Sequence, residues 1–187
     1  MRVTIWRMLL LLAALAAAPG SLRAEEPTAE VDNPEYAAWS ACKPGTWVKF
    51  IQETELNGLK TKIEKTIALK ELAPDKVVLE SFLSMEAAGQ KGTAAPSRRE
   101  VPAKVAKPEA PKPDEPKSSA PREDREELEI AGKKLACKTM LLKASSGDAA
   151  STSKTWLCDE VPGRLVKSEL TSKAMRSTLL LMAFEKK

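Results

Sequence analysis

The stretch TWVKFIQETELNGLKTKIEKTIALKEL, Thr46 to Leu72, decides the fold. Asn57-Gly58 sits between two alternating runs, and this dipeptide is the strongest short-range hairpin signal because both central positions of a type I′ turn need positive φ. Pairing outward from it sets Leu56 against Leu59, Glu55 against Lys60, Thr54 against Thr61, Glu53 against Lys62, Gln52 against Ile63 and Val48 against Ile67. One face then collects Val48, Phe50, Leu56, Leu59, Ile63, Ile67 and Leu69. The other collects Lys49, Glu53, Glu55, Lys60, Lys62 and Glu64, with opposite charges across from each other. A slip of one residue destroys both patterns, so the register is specified. The prediction is a half-buried antiparallel hairpin with long strands.

The same logic extends in both directions. Ala73 to Lys76 reads as a turn, and KVVLESFLSM (76–85) as a third strand. In EELEIAGKKLACKTMLLKAS a turn at Ala131-Gly132 sets Leu128 against Leu135 and Glu129 against Lys134. STSKTWLCDE, RLVKSELT and RSTLLLMAFEKK add three more strands. The eight strands fall at about 46–56, 59–72, 76–85, 124–130, 133–143, 152–160, 164–171 and 176–185. Upstream, Asn33 suits a helix N-cap, Pro34 the first helical position and Pro44-Gly45 the stop, so VDNPEYAAWSACKPG predicts one short helix. Tyr36, Trp39 and Cys42 share its apolar face, which packs on the core or offers an aromatic binding lip.

Between the third and fourth strands, residues 86–122 are Ala, Lys, Pro, Glu and Ser, with proline at 96, 102, 108, 111, 113, 116 and 121. Such composition cannot bury a core and predicts a disordered linker. It serves as an extended spacer that docks on a partner, or as a tolerated insertion whose closure entropy grows only logarithmically with length. Three strands before it are too few for an independent domain, so both blocks belong to one sheet. The expected fold class is therefore mainly β: a single curved antiparallel meander of about eight strands, half-barrel or barrel, with one short N-terminal helix and a long disordered Pro-rich insertion. PGTWVK (44–49) and PGRLVK (162–167) share PG-x-x-V-K, the mark of a duplication or of turn chemistry alone.

Residues 1–24 carry a basic start (Arg2, Arg7), an apolar run from Met8 to Ala18 and Leu22-Arg23-Ala24 before Glu25, the layout of a signal peptide. The apolar run is short of the roughly 20 residues a membrane-spanning helix needs. A flexible lead-in follows at 25–32, and the β domain occupies 33–187, in the periplasm or secreted, with no transmembrane segment in the mature chain. Cleavage removes three of the 30 basic residues and none of the 26 acidic ones, leaving a net charge of +1. The strands interleave both signs, which argues against nucleic acid as a partner.

The 187 residues contain no histidine, which removes Ser-His-Asp triads, Cys-His dyads, His-ligated metal sites and the usual neutral-pH proton shuttle. Asp159 and Glu160 are adjacent, so on a strand they point to opposite faces and cannot act as a catalytic pair. No catalytic residue, metal or cofactor is expected, and the protein reads as non-enzymatic. Three scattered cysteines lack metal-ligand spacing. Cys137 and Cys158 flank the polar loop Ala144 to Ser151 symmetrically, so a hairpin about that loop places them opposite one another. A disulfide there is geometrically allowed, and in an exported protein it adds roughly 3 kcal/mol in the chain-entropy model. Cys42 is left as a buried free thiol, an alternative partner of either, or a handle for dimerisation.

One apolar sheet face and a helix of about two turns leave the question of what covers the sheet. The signal peptide, the long strands with charged outer faces and the late Trp156, Asp159, Glu160, Pro162, Gly163, Leu165, Val166, Lys167 pattern resemble small secreted bacterial proteins. More remotely, they are similar to LolA-like half-barrels. That resemblance implies carriage of a lipid or lipoprotein. Phe50, Ile63, Ile67 and Trp156 are the candidate lining for an apolar small molecule or lipid; the competing reading makes them a dry side-chain core. The second functional expectation is an envelope protein with a solid core, whose sheet edges or Pro-rich linker bind a protein partner.

Overall fold

The computed structural model describes residues 29–87, 89–107, 122–146 and 149–187. The signal peptide assigned to 1–24 lies outside them. Twelve strands and one helix follow in order: β1 (Glu30–Asp32), α1 (Pro34–Ser40), β2 (Trp47–Leu56), β3 (Leu59–Leu72), β4 (Lys76–Ala87), β5 (Gln90–Thr93), β6 (Ser97–Pro102), β7 (Lys104–Ala106), β8 (Arg122–Ile130), β9 (Lys133–Ser146), β10 (Ala149–Leu157), β11 (Leu165–Ser172) and β12 (Met175–Glu185). All pairings are antiparallel.

The β2–β3 hairpin takes the expected register throughout, from Leu56 opposite Leu59 to Val48 opposite Ile67. Its turn has φ of 49° at Asn57 and 83° at Gly58, the left-handed pair that a type I′ turn requires. The β8–β9 hairpin likewise pairs Leu128 with Leu135 and Glu129 with Lys134 about a turn with φ of 50° at Ala131 and 75° at Gly132.

Strand number and order differ from expectation. The eight expected strands are present, and four short ones join them. Three of these, β5, β6 and β7, lie in the stretch expected to be a disordered linker; residues 108–121 are outside the described residues. Glu30–Asp32, expected in a flexible lead-in, pairs with β7. The main sheet runs β5-β4-β3-β2-β12-β11-β10-β9-β8, with β6 also on β4. It is two meanders joined through β2 and β12, rather than one continuous meander. Among the described residues no pairing joins β5 or β6 to β8, so their sheet is open and closes no barrel. Lys133 Nζ reaches 5.1 Å from the Phe184 ring centroid, which brings the start of β9 over the end of β12.

The helix forms where its caps predict. Asn33 Oδ1 accepts from the Glu35 amide at 3.0 Å, and Asn33 Nδ2 donates to the Pro102 carbonyl at 2.8 Å. One residue thus caps the helix and ties it to β6. Trp39 and Cys42 are buried, and the Tyr36 hydroxyl meets the Ala73 and Pro74 carbonyls at 3.0 Å each. The apolar face of the helix therefore packs on the core. Gly163 (φ 72°) lies so close to Trp39 that a Cβ there would stand 3.0 Å from the indole Nε1, so the Cys158–Arg164 loop is pressed onto the helix.

Candidate ligand groove

Cross-strand partners share a sheet face, so the registers decide which side chains can meet. Phe50 opposes Leu181, Leu179 opposes Ser168, and Ser168 opposes Thr155. These residues share the Phe50 face. Trp156, the next residue after Thr155, projects from the opposite one. Phe50 and Trp156 thus start from opposite sheet faces, yet both belong to the buried core cluster against which Ile67 packs.

Along the Phe50 face, burial grades from one end of the strands to the other. On β2 it falls from Val48 and Phe50, both buried, through half-buried Gln52 and Thr54 to Leu56, 46% exposed. On β3 it falls from fully buried Leu69 through half-buried Ile67 and Ile63 to Leu59, 72% exposed. On β4 it falls from fully buried Leu79 through half-buried Leu83 to Met85, 50% exposed. Three neighbouring strands thus agree. The packed end joins a core that includes Trp39, Val101, Val161 and Leu181, while the end bearing the Asn57-Gly58 turn is open.

Between the two ends lies a groove of about 430 Å³ lined by Gln52, Thr155, Leu165, Ser168, Leu170, Ser177 and Leu179. Its polar members are organised: Gln52 Nε2 donates to Ser177 Oγ at 3.2 Å, and the hydroxyl of neighbouring Thr54 lies 2.9 Å from that of Ser177. Leucines supply the apolar walls and hydroxyls a neutral polar rail. Such a lining suits an apolar chain carrying hydroxyl or carbonyl groups. No charged side chain lines it.

Phe50 belongs to the packed core, and Ile67 packs against it. Ile63 is half-buried towards the open end. None of the three lines the groove. The residues that do were legible in part: Gln52 interrupts the apolar stripe of β2, and such an interruption marks where a core stops. The contributions of Thr155, Ser168 and Ser177 depend on β12 pairing with β2, for which the sequence carries no local signal.

Trp156 has its own setting. Its Nε1 donates to Glu126 Oε2 at 2.7 Å, while Lys154 Nζ and Lys167 Nζ lie 4.6 and 4.7 Å from its ring centroid. Glu126 also pairs with Lys154 at 2.5 Å, and Lys167 with Glu169 at 2.7 Å. The hydrogen bond from Lys154, then that from Trp156, holds the Glu126 carboxyl below the usual range. With each ammonium matched to a carboxylate, the arrangement seals an indole against the sheet.

All three cysteines are free thiols, so the bridge expected between Cys137 and Cys158 is not formed. The register itself is as expected: Leu157 opposes Lys138, and one step further sets Cys158 opposite Cys137. β10 ends at Leu157, however, and the Cys158 amide turns to the Arg164 carbonyl at 2.7 Å, while Cys137 Sγ donates to the Leu135 carbonyl at 3.5 Å. Burial, reinforced by Cys158 and Glu126, pushes the Cys137 thiol up to about 11. Burial also raises Cys42, against the pull of Lys186. Among the described residues, no three Cys, Asp or Glu groups converge as a metal site, and no helix is long and apolar enough to cross a membrane.

No protein-family model and no curated protein matches the chain. Two solved structures are similar to it in part. One is a protein of Bacteroides fragilis NCTC 9343 described as exported, with a YmcC-like fold; it is 10% identical, covers 78% of this chain and 97% of its own, and gives a TM-score of 0.45. The other, from Parabacteroides distasonis ATCC 8503, is described as a lipoprotein; it is 9% identical, covers 77% of this chain and 96% of its own, and gives a TM-score of 0.44.

Proposed function

We propose that this is an exported, non-enzymatic binding protein that holds an apolar, acyl-like ligand in the groove between β2, β12, β11 and β10. The observation that carries the reading is the graded burial on one sheet face: the core fills one end and stops at Gln52, where an apolar groove with a neutral hydroxyl rail begins. Its volume falls within the ~300–1,000 Å³ range of small-molecule sites. Export rests on the basic and apolar organisation of residues 1–24. The missing histidine and the uncharged lining support binding rather than catalysis.

Leu179→Trp tests it, because an indole at this half-buried position projects into the groove. The variant should lose uptake of a fluorescent fatty-acid probe while melting within a few degrees of the parent. A solid core would instead be overpacked, at about 1–3 kcal/mol. Full probe uptake by the variant, or no uptake by the parent, refutes the reading.

A further inference from the structure

We infer that the open end of this face docks on an anionic lipid bilayer, an inference that deepens the ligand-carrier reading by naming where the ligand is exchanged. Leu56, Leu59 and Met85 are exposed and share the Phe50 face at one end of the sheet. The Asn57-Gly58 turn, the turn at Gly89 and the Lys173-Ala174 turn all lie at that end, because Leu56 pairs with both Leu59 and Met175 and Ala87 pairs with Thr61. Leucines facing one another across a hairpin tip are poor choices for a surface that meets only water.

The charge around them is complementary to an anionic surface. Within three residues of these turns stand Lys60, Lys91, Lys173 and Arg176, against Glu55 and Glu86. Lys91 is 3.7 Å from Glu86, whereas Lys60, Lys173 and Arg176 form no ion pair among the described residues. Lys60, Lys91 and Arg176 project from the sheet face opposite Leu56, Leu59 and Met85, so a tip that meets a bilayer edge-on sets their charges at headgroup level on one side while the leucines enter the acyl boundary on the other. This geometry presents the groove to the lipid from which an acyl ligand must leave.

The test is co-sedimentation of the purified protein with phosphatidylcholine vesicles, with and without phosphatidylglycerol, alongside uptake of a soluble fatty-acid probe. Binding should require phosphatidylglycerol and weaken as salt is raised. Each basic contact near an anionic surface is worth ~1 kcal/mol, so Lys60→Glu and Lys173→Glu should each lower vesicle binding by roughly fivefold or more. Leu59→Glu should lower it by roughly tenfold, with probe uptake unchanged in all three. Absence of vesicle binding, equal binding to neutral vesicles, or full binding by Leu59→Glu overturns the inference. So does self-association in sedimentation velocity that Leu59→Glu abolishes, since that assigns the patch to a second copy. Probe uptake without vesicle binding sinks the docking alone; vesicle binding without probe uptake sinks the groove alone.

Discussion

Leu181→Ala and Leu59→Ala delete the same atoms from the same sheet face at its two ends, and the structure predicts very different costs. Leu181 is fully buried in the core beside Phe50, its partner on β2. Removing such a leucine loses its transfer free energy and leaves a cavity, about 3–5 kcal/mol together. Leu59 is 72% exposed, so it has about a quarter of its surface to lose. With full burial of a leucine worth about 1.5–3 kcal/mol, truncation there should cost roughly 0.4–0.8 kcal/mol. Urea unfolding followed by far-ultraviolet circular dichroism measures both, provided the slopes of the two variants match the parent. A cost above ~2 kcal/mol at Leu59 would show that the supposed mouth is packed. A cost below ~1 kcal/mol at Leu181 would show that the packed end is not packed. Either result removes the graded face from which the groove was argued.

Gly163→Ala places a Cβ against Trp39 at a residue with φ of 72°, whereas Gly58→Ala, at φ 83°, meets open space. Both substitutions bear the left-handed backbone penalty of about 1–2 kcal/mol, so thermal melts should show the larger loss at Gly163; equal losses refute the tight helix–loop contact. Glu126 is held below the usual carboxyl range first by Lys154 and then by Trp156, so its stabilising contribution is present above its unfolded pKa. That contribution is lost as pH falls through the lower folded value. Glu126→Gln should flatten this acid limb in urea unfolding from neutral pH downward, and an unchanged pH slope contradicts the network.

The hairpins were legible because their information is local. Asn57-Gly58 and Ala131-Gly132 fix the turns, and alternating charge fixes the rest. The helix was legible for the same reason, with Asn33, Pro34 and Pro44-Gly45 marking its limits. Composition misled in the Pro-rich stretch because an average hides single residues. Val101 on β6 is buried opposite Val77, while Arg98 and Arg99 pair with Glu80 and Glu35, so one valine and two ion pairs anchor a strand in a segment that looks unable to fold. Of the seven prolines in this stretch, Pro96 lies just before the strand and Pro102 at its last position, where they cost no internal ladder bond. Pairing of β2 with β12 joins residues more than a hundred positions apart and has no turn to announce it. Without that pairing, the face of Trp156 relative to Phe50 could not be counted.

The two faces of the sheet solve the same problem with different materials. Around Trp156, cover comes from the strands themselves: Lys154 and Lys167 lie against the indole, and Glu126 satisfies its N–H. This local device needs no further chain. The Phe50 face depends on separate elements, α1 and the Cys158–Arg164 loop. A helix of seven residues rises only about 10 Å, whereas the fourteen-residue β3 extends about 46 Å. The helix is also only about 10–12 Å across, so no orientation of it can cover the strand from end to end. The sequence accommodates this shortfall. Gln52, Thr54 and Ser177 bring hydroxyl and amide groups into the stripe beyond the helix's reach, satisfied among themselves, where a face meant only for burial would have continued with leucine and valine. The open groove thus follows from the reach of the cover and from polar residues placed where that reach ends.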